Sequence, residues 1–395
     1  AGRTFQLALK KHPDEAGLHY GAALAFSTSD VEVMLTHLSA ALQINPNHAP
    51  SRILLVNGMI NQEAYAEAEE QLAKVIAVNA HHPEAWAYRS IIAHLREKKK
   101  VEKEAREKAL AHWKDNPEID YLIGRKLSQR YRFSEGAKHQ RQALAFKGDF
   151  QPARIQLAQD LLRLGEEEEG WKLAEQARES DGYDVTTFNL LALKDTLEEF
   201  DTIRNERFVL RMARHEAAVY GKRALRLLEK AHHALTSKYD LKLEKPTVVE
   251  IFDKQRDFGV RTFGMPENPG YLGVCFGCLI TANSPASQMP VPANWEAVLW
   301  HEFCHTVTLA MTKNKMPRWL SEGISVYEER QANPNWGQSM TPRYREMILG
   351  GELTPVGKLS GAFLAPPSPE YLQFAYYQSS LVIEYLVERF GHESI

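Results

Sequence analysis

The sequence predicts a multidomain α + (α+β) protein, with an α-solenoid-like stack of helix pairs over residues 1–205 and an α+β domain over residues 206–395. Three features lead there. Proline and asparagine markers recur at intervals of 33 or 34 residues through the first half. Alternating, β-branched stretches begin only after about residue 205. A mostly apolar, helix-length run at Asn294–Ala310 carries His301-Glu302-Phe303-Cys304-His305, and the second half is arranged around it.

Composition sets the class. The chain has 395 residues, of which 44% are hydrophobic and 25% charged, enough to bury a large core. A net charge of −3 carries no nucleic-acid or membrane-surface footprint. No apolar run reaches the ~20 residues of a membrane span. The opening, Ala1 to Pro13, reads as a helix already under way, with no signal peptide. A trimmed chain is therefore expected, and the compartment stays open between cytoplasm and envelope. Three cysteines make no disulfide framework.

In the first half, His82-Pro83-Glu84 returns as Asn116-Pro117-Glu118, and Asn45 returns as Asn79, both after 34 residues. Gln151-Pro152 follows Pro117 at the same interval, and Pro13 to Pro46 is 33. Between markers run two amphipathic helices, as in Ala49–Gly58 and then Glu63–Val78, whose inward face is Ala64, Ala68, Leu72, Val75 and Ile76. A helix–turn–helix period of this length with proline at the junction resembles the tetratricopeptide repeat. The resemblance implies a concave surface that takes a protein or peptide partner. The charge run Arg96 to Lys108 alternates in sign at helical spacing and reads as a solvated face; Glu166–Glu169 reads as a turn. The adjacent pairs His81-His82 and His232-His233 point different ways on a helix and make poor ligand sets.

After residue 205 the elements alternate. Arg207–Met212 is a short strand, His215–Tyr239 a long amphipathic helix, and Pro246–Phe252 a strand. Gly270–Pro285 reads as two strand segments around Gly277, and the segment from Cys278 to Pro285 is the expected sheet edge for an extended substrate. Asn294 stands as N-cap of the following helix, with Glu296 in its first turn. A further helix starts near Pro317.

Residues four apart share a helix face, so His301 and His305 can aim two imidazoles at one ion. Zinc is bound by imidazole nitrogen, and a catalytic site keeps three protein ligands and a water. Glu302 sits beside the first histidine, placed to take a proton from that water without being a ligand. Glu322 lies on an otherwise small or apolar surface with Leu320, Gly323, Ile324 and Val326. A buried acid needs a partner, and the same zinc ion would serve. One zinc per chain is the expectation. Cys275-Phe276-Gly277-Cys278 lacks a second pair, and on a strand its thiols face opposite sides, so packing is expected for both; Cys304 is expected in the core.

His301-Glu302-x-x-His305, followed by Trp319-Leu320-Ser321-Glu322-Gly323, resembles the peptidase MA-like gluzincins, and more narrowly bacterial proteins that place such a domain after tetratricopeptide repeats. The strand at Phe208, the strand Gly273–Gly277 and the helix Ala375–Gly391 add to the likeness, which covers 206–395 well and the repeats loosely. It implies a thermolysin-like fold, zinc held by His301, His305 and Glu322, Glu302 as general base, and Tyr376 as second donor to the oxyanion. For Tyr376 and its neighbour Tyr377, aromatic packing is the competing reading. The His305-to-Glu322 gap is shorter than in thermolysin-type enzymes, so a tighter turn is expected between the helices. No Gly-x-Met-Glu-Asn strand is present, which leaves an aminopeptidase unsupported. The function expected is a zinc metallopeptidase acting on protein or peptide, with the repeats recruiting it. The alternative is a silent gluzincin-fold scaffold in which the repeats bind a partner. Substrate sequence and oligomeric state do not follow.

Overall fold

The structure is a computed structural model, and it describes residues 1–266, 270–288, 293–364 and 366–395. Residues 1–198 are helical: Gly2–Leu9 leads into the pairs Ala16–Phe26 with Val31–Ile44, Ala49–Asn61 with Tyr65–Val78, Pro83–Leu95 with Lys99–Ala109, Pro117–Gln129 with Phe133–Phe146, and Gln151–Arg163 with Glu167–Ser180, closed by Val185–Glu198. The recurring markers are helix starts. His48, His82 and Asn116 are N-caps whose side chains accept from backbone N–H groups of the first turn, with proline in each first turn. The turn inside each of the last four pairs bends through one residue of positive φ, and these residues, Glu63, Glu97, Tyr131 and Gly165, are 34 apart.

The second domain holds a five-stranded mixed sheet of order β1-β2-β3-β5-β4, with β1 Phe200–Arg204, β2 Phe208–Ala213, β3 Thr247–Phe252, β4 Gly273–Cys275 and β5 Leu279–Asn283. β2, β3 and β5 run parallel; β1 and β4 are antiparallel edges. The 205/206 boundary expected from sequence falls in the turn joining β1 to β2, so β1 is part of the sheet by pairing. The expected edge segment is corrected: β5 pairs on both sides, and the edge on that side of the sheet is β4. The expected helix His215–Tyr239 is broken by a π turn at Ala217–Gly221 before α1, Lys222–Lys238. The later helices are α2 (Gln255–Phe263), α3 (Trp295–Thr312), α4 (Arg318–Ala332), α5 (Pro342–Leu349) and α6 (Pro369–Phe390).

Strand alternation gives the sheet two dry faces. Phe208, Leu210, Met212, Val249, Ile251 and Ile280 pack with Leu228 of α1 and Phe303 and Val307 of α3. On the other face Phe252, Val274, Phe276 and Leu279 pack with Phe133, Leu162, Leu190 and Leu193 of the repeats. The sheet therefore lies between α3 and the solenoid. Glu250 is fully buried on that second face, and it is balanced by Arg261 at 2.7 Å and Arg211 at 3.1 Å, while Arg211 also reaches Glu167 of the repeats at 2.6 Å.

Candidate metal centre

α3 opens at Asn294, whose side chain accepts from Ala297 N–H, and runs one face along the sheet. It ends in two left-handed residues, Lys313 (φ 53°) and Asn314 (φ 58°), which turn the chain back within a few residues into α4. That tight reversal sets Glu322 opposite His301 and His305. Nε2 of His301 lies 3.0 Å from Nε2 of His305 and 3.2 Å from Oε2 of Glu322, and His305 Nε2 lies 3.3 Å from the same oxygen.

Behind these atoms stand partners that the sequence reading missed. His301 Nδ1 donates to Oε1 of buried Glu329 at 2.5 Å. His305 Nδ1 is hydrogen-bonded with Ser321 Oγ at 2.8 Å and lies 3.2 Å from Ser325 Oγ. Since a carboxylate only accepts, His301 Nδ1 carries a hydrogen; when the ring is neutral, its Nε2 lone pair faces inward. In that state three electron-pair donors face one another, an arrangement suited to a cation between them. Tetrahedral ligands at about 2.0–2.2 Å from zinc lie roughly 3.3–3.5 Å apart, close to the distances here, so the residues fit the ion. His301, His305 and Glu322 are the group of potential ligands found among the described residues. Spacing could have revealed Glu329, seven residues past Glu322 and hence on the same side of α4.

Burial alone would lower His301, but the charge of Glu329 and hydrogen bonds with Glu322 and Glu329 hold it well above its ordinary value, so protons compete with a metal ion here. Burial would raise Glu322, but His305 and His301 hold it well below the usual carboxylate range. Glu302 is buried and not among the converging atoms. Burial raises it, with His301 and His305 opposing, which moves it toward the range of a general base. Its carboxylate rests on the edge strand: a Cβ placed on Gly273 would meet Glu302 Cγ at 2.7 Å and Oε1 at 2.9 Å.

Tyr376 and Tyr377 are separated by the turn of α6. Tyr376 lines the cleft, its ring 6.3 Å from that of His301 and edge-on to Phe363. Its hydroxyl has no hydrogen-bond partner among the described residues, and burial with the charge of Glu322 raises it well above its ordinary value. Tyr377 is buried and stacked on Tyr344 at 5.1 Å. The three thiols are free: Cys275 accepts from Gly277 N–H and contacts Thr306, Cys278 lies against the Leu164 carbonyl, and Cys304 is fully buried in α3.

Over these groups lies a cleft of about 790 Å³ when the space open to solvent at its mouth is included. One wall comes from the repeats, where Gln129, Arg130 and Tyr131 face β4 and Arg318. Asn314 Nδ2 donates to the Tyr131 carbonyl at 2.5 Å, and the Tyr131 ring stacks on Phe276 at 6.1 Å. Tyr131 holds φ 61°, a left-handed conformation rare for a bulky side chain.

A helical repeat stack joined through a mixed sheet to a helix bearing His-Glu-x-x-His and a facing carboxylate is the class defined so far. Residues 241–395 match the Peptidase MA superfamily, and residues 35–92 match the tetratricopeptide repeat. The chain carries a Peptidase MA superfamily domain preceded by tetratricopeptide repeats. No curated protein matches it. Among solved structures it is similar to the crystal structure of YrrB, described as a TPR protein with an unusual peptide-binding site, at 14% identity and a TM-score of 0.29, covering 49% of this chain and 100% of that one. It is also similar to the TPR domain of P58(IPK), at 11% identity and a TM-score of 0.25, covering 98% and 94%. No helix among the described residues is long and apolar enough to cross a membrane.

Proposed function

We propose that this chain is a zinc-dependent metallopeptidase that hydrolyses peptide bonds of protein substrates engaged by its repeats. The observation that carries the reading is the convergence of His301 Nε2, His305 Nε2 and Glu322 Oε2 within 3.3 Å, with the outer nitrogens of both rings already held by Glu329 and Ser321. Bound there, one zinc ion supplies Lewis-acid polarisation and a water of lowered pKa. Glu329 and Ser321 fix the ring orientations. Glu302 accepts the proton of the attacking water as the new C–O bond forms at the scissile carbonyl. It then returns that proton to the amine nitrogen as the C–N bond breaks, so it ends each turnover ionised. The Tyr376 hydroxyl, without a hydrogen-bond partner among the described residues and beside His301, donates to the oxyanion that develops meanwhile. The edge strand β4 offers backbone groups to an extended substrate alongside Glu302.

The test uses elemental analysis and a quenched peptide library near pH 7. Wild type should hold one zinc per chain, and His301→Ala or Glu322→Ala should lose it. Glu302→Gln should keep zinc and fold but lose hydrolysis by at least the 10²–10⁴-fold of general acid–base catalysis. Unchanged cleavage by Glu302→Gln would overturn the assignment of the base. Zinc-loaded wild type that cleaves nothing would leave the chain a repeat scaffold with a silent domain.

A further inference from the structure

The cleft contains a positive charge that the metal set does not use. Arg318 is the first residue of α4, four residues before Glu322 and therefore on the same helix face, one turn away. It is half-buried and lines the cleft. Among the described residues its guanidinium makes no hydrogen bond and no ion pair. The arginines around the domain junction differ: Arg211 is paired with Glu167 and Glu250, Arg261 with Glu250, and Arg132 with Glu97 and Glu135. The nearest acid on its own face, Glu322, is committed to both histidines.

What holds the Arg318 side chain is the Tyr131 ring, whose centroid lies 5.9 Å from Cζ. An aromatic ring against one side of a guanidinium leaves its N–H edge directed elsewhere. Tyr131 is itself fixed, through Asn314 on its carbonyl and Phe276 against its ring. The hydroxyls of Tyr131 and Tyr376, both on the cleft wall, also lack hydrogen-bond partners among the described residues. A partly desolvated cation needs a counter-charge, and a planar fork of N–H donors suits a carboxylate.

We propose that Arg318, walled by Tyr131 from the repeats, forms a specificity subsite for a carboxylate of the substrate, about one to two residues from the scissile bond given one helical turn of separation from Glu322 and a strand rise of roughly 3.3 Å per residue. This rests on the peptidase reading above. The carboxylate has two sources, the free C-terminus of the substrate or an Asp or Glu side chain.

The experiment measures binding to full-length, zinc-loaded Glu302→Gln by calorimetry at low salt, with two matched peptide pairs. One pair differs only in a C-terminal acid or amide; the other has both ends blocked and differs in an internal Glu or Gln. Expected is at least tenfold tighter binding of the acid member in one pair, which identifies the source. Adding Arg318→Gln should reduce that preference to within twofold while the uncharged peptides bind as before. Arg318→Lys, which keeps the charge but loses the fork, should retain only part of it, and Tyr131→Leu should weaken it although it lies in the other domain. Circular dichroism and zinc content identify variants that have not folded. The proposal is overturned by equal binding within both pairs, by no binding of any peptide, or by a preference that survives Arg318→Gln. Hydrolysis by wild type without a carboxylate preference in kcat/KM removes the subsite and leaves the peptidase; carboxylate binding without hydrolysis does the reverse.

Discussion

Gly273→Ala is a one-carbon perturbation whose effect can be worked from distances. The added Cβ would lie 2.7 Å from Glu302 Cγ and 2.9 Å from both Glu302 Oε1 and Val298 Cγ1. Carbon atoms pack at about 3.5–4.0 Å, so something must give by close to an ångström. Val298 is anchored on α3, and β4 is tied to β5 by the pairing of Gly273 with Ala282. The carboxylate of Glu302 is the freest of the three, and it should be the group that moves. Overpacking of this kind costs about 1–3 kcal/mol of stability. A base displaced by ~1 Å costs roughly 10²-fold in rate. Gly273 has no positive φ, so the whole effect belongs to the Cβ contact and none to backbone strain. The assay compares kcat/KM on a quenched peptide, thermal midpoint and zinc content with those of wild type. The expected result is a loss near 100-fold, a midpoint lower by a few degrees, and zinc unchanged because Glu302 is not a ligand. Gly357→Ala, where a Cβ meets nothing within 4 Å, is the control and should match wild type. Wild-type kcat/KM in Gly273→Ala would refute the placement of Glu302 against the edge strand.

Two further outcomes follow from the same geometry. Glu329→Gln should lower zinc affinity by about 10–100-fold in competition with a chromophoric chelator, because His301 loses the charged acceptor that orients it; unchanged affinity would sink that role. In the repeats, burial would lower His94, but its hydrogen bonds with Glu102 and Glu135 raise it to about 9. A raised histidine stabilises fully below its unfolded value near 6.5 and loses that contribution as pH rises through the folded value. Urea unfolding should therefore show wild type losing roughly 1–3 kcal/mol relative to His94→Gln between pH 6.5 and 9, and parallel curves would contradict the linkage.

What could be read from the sequence was local. The repeat period, the caps, the strands at 208, 247 and 279, and the meeting of His301, His305 and Glu322 all rest on spacing along one or two helices. What could not be read was pairing at a distance. Phe200–Arg204 carries a polar, half-exposed pattern at the end of a helix, and only its pairing with β2 makes it a strand. β4 is three residues long, too short to stand out beside β5, so the longer segment reads as the edge although it lies inside the sheet. Arg318 looks like an ordinary surface residue at a helix start until Tyr131 is placed against it.

The turn positions show how the two halves depend on each other. A 34-residue period delivers an equivalent backbone bend at Glu63, Glu97, Tyr131 and Gly165, but only Gly165 is the residue type that favours positive φ. The others occupy it and act through their side chains or carbonyls. Glu63 pairs with Arg130 of the same stack, Glu97 crosses to Lys315 at 2.9 Å, and Tyr131 takes Asn314 on its carbonyl. Beside Gly165, the carbonyls of Leu164 and Leu162 meet Cys278 and Arg261 of the second domain. Three successive repeats thus set their turns against the reversal between α3 and α4 and against the sheet. The reversal that brings Glu322 to the histidines is held from outside by the solenoid. A repeat domain that only recruited substrate could be swung away without consequence for the cleft; this one cannot, because displacing it removes Tyr131 from Arg318 and the bond that ties Asn314 in place.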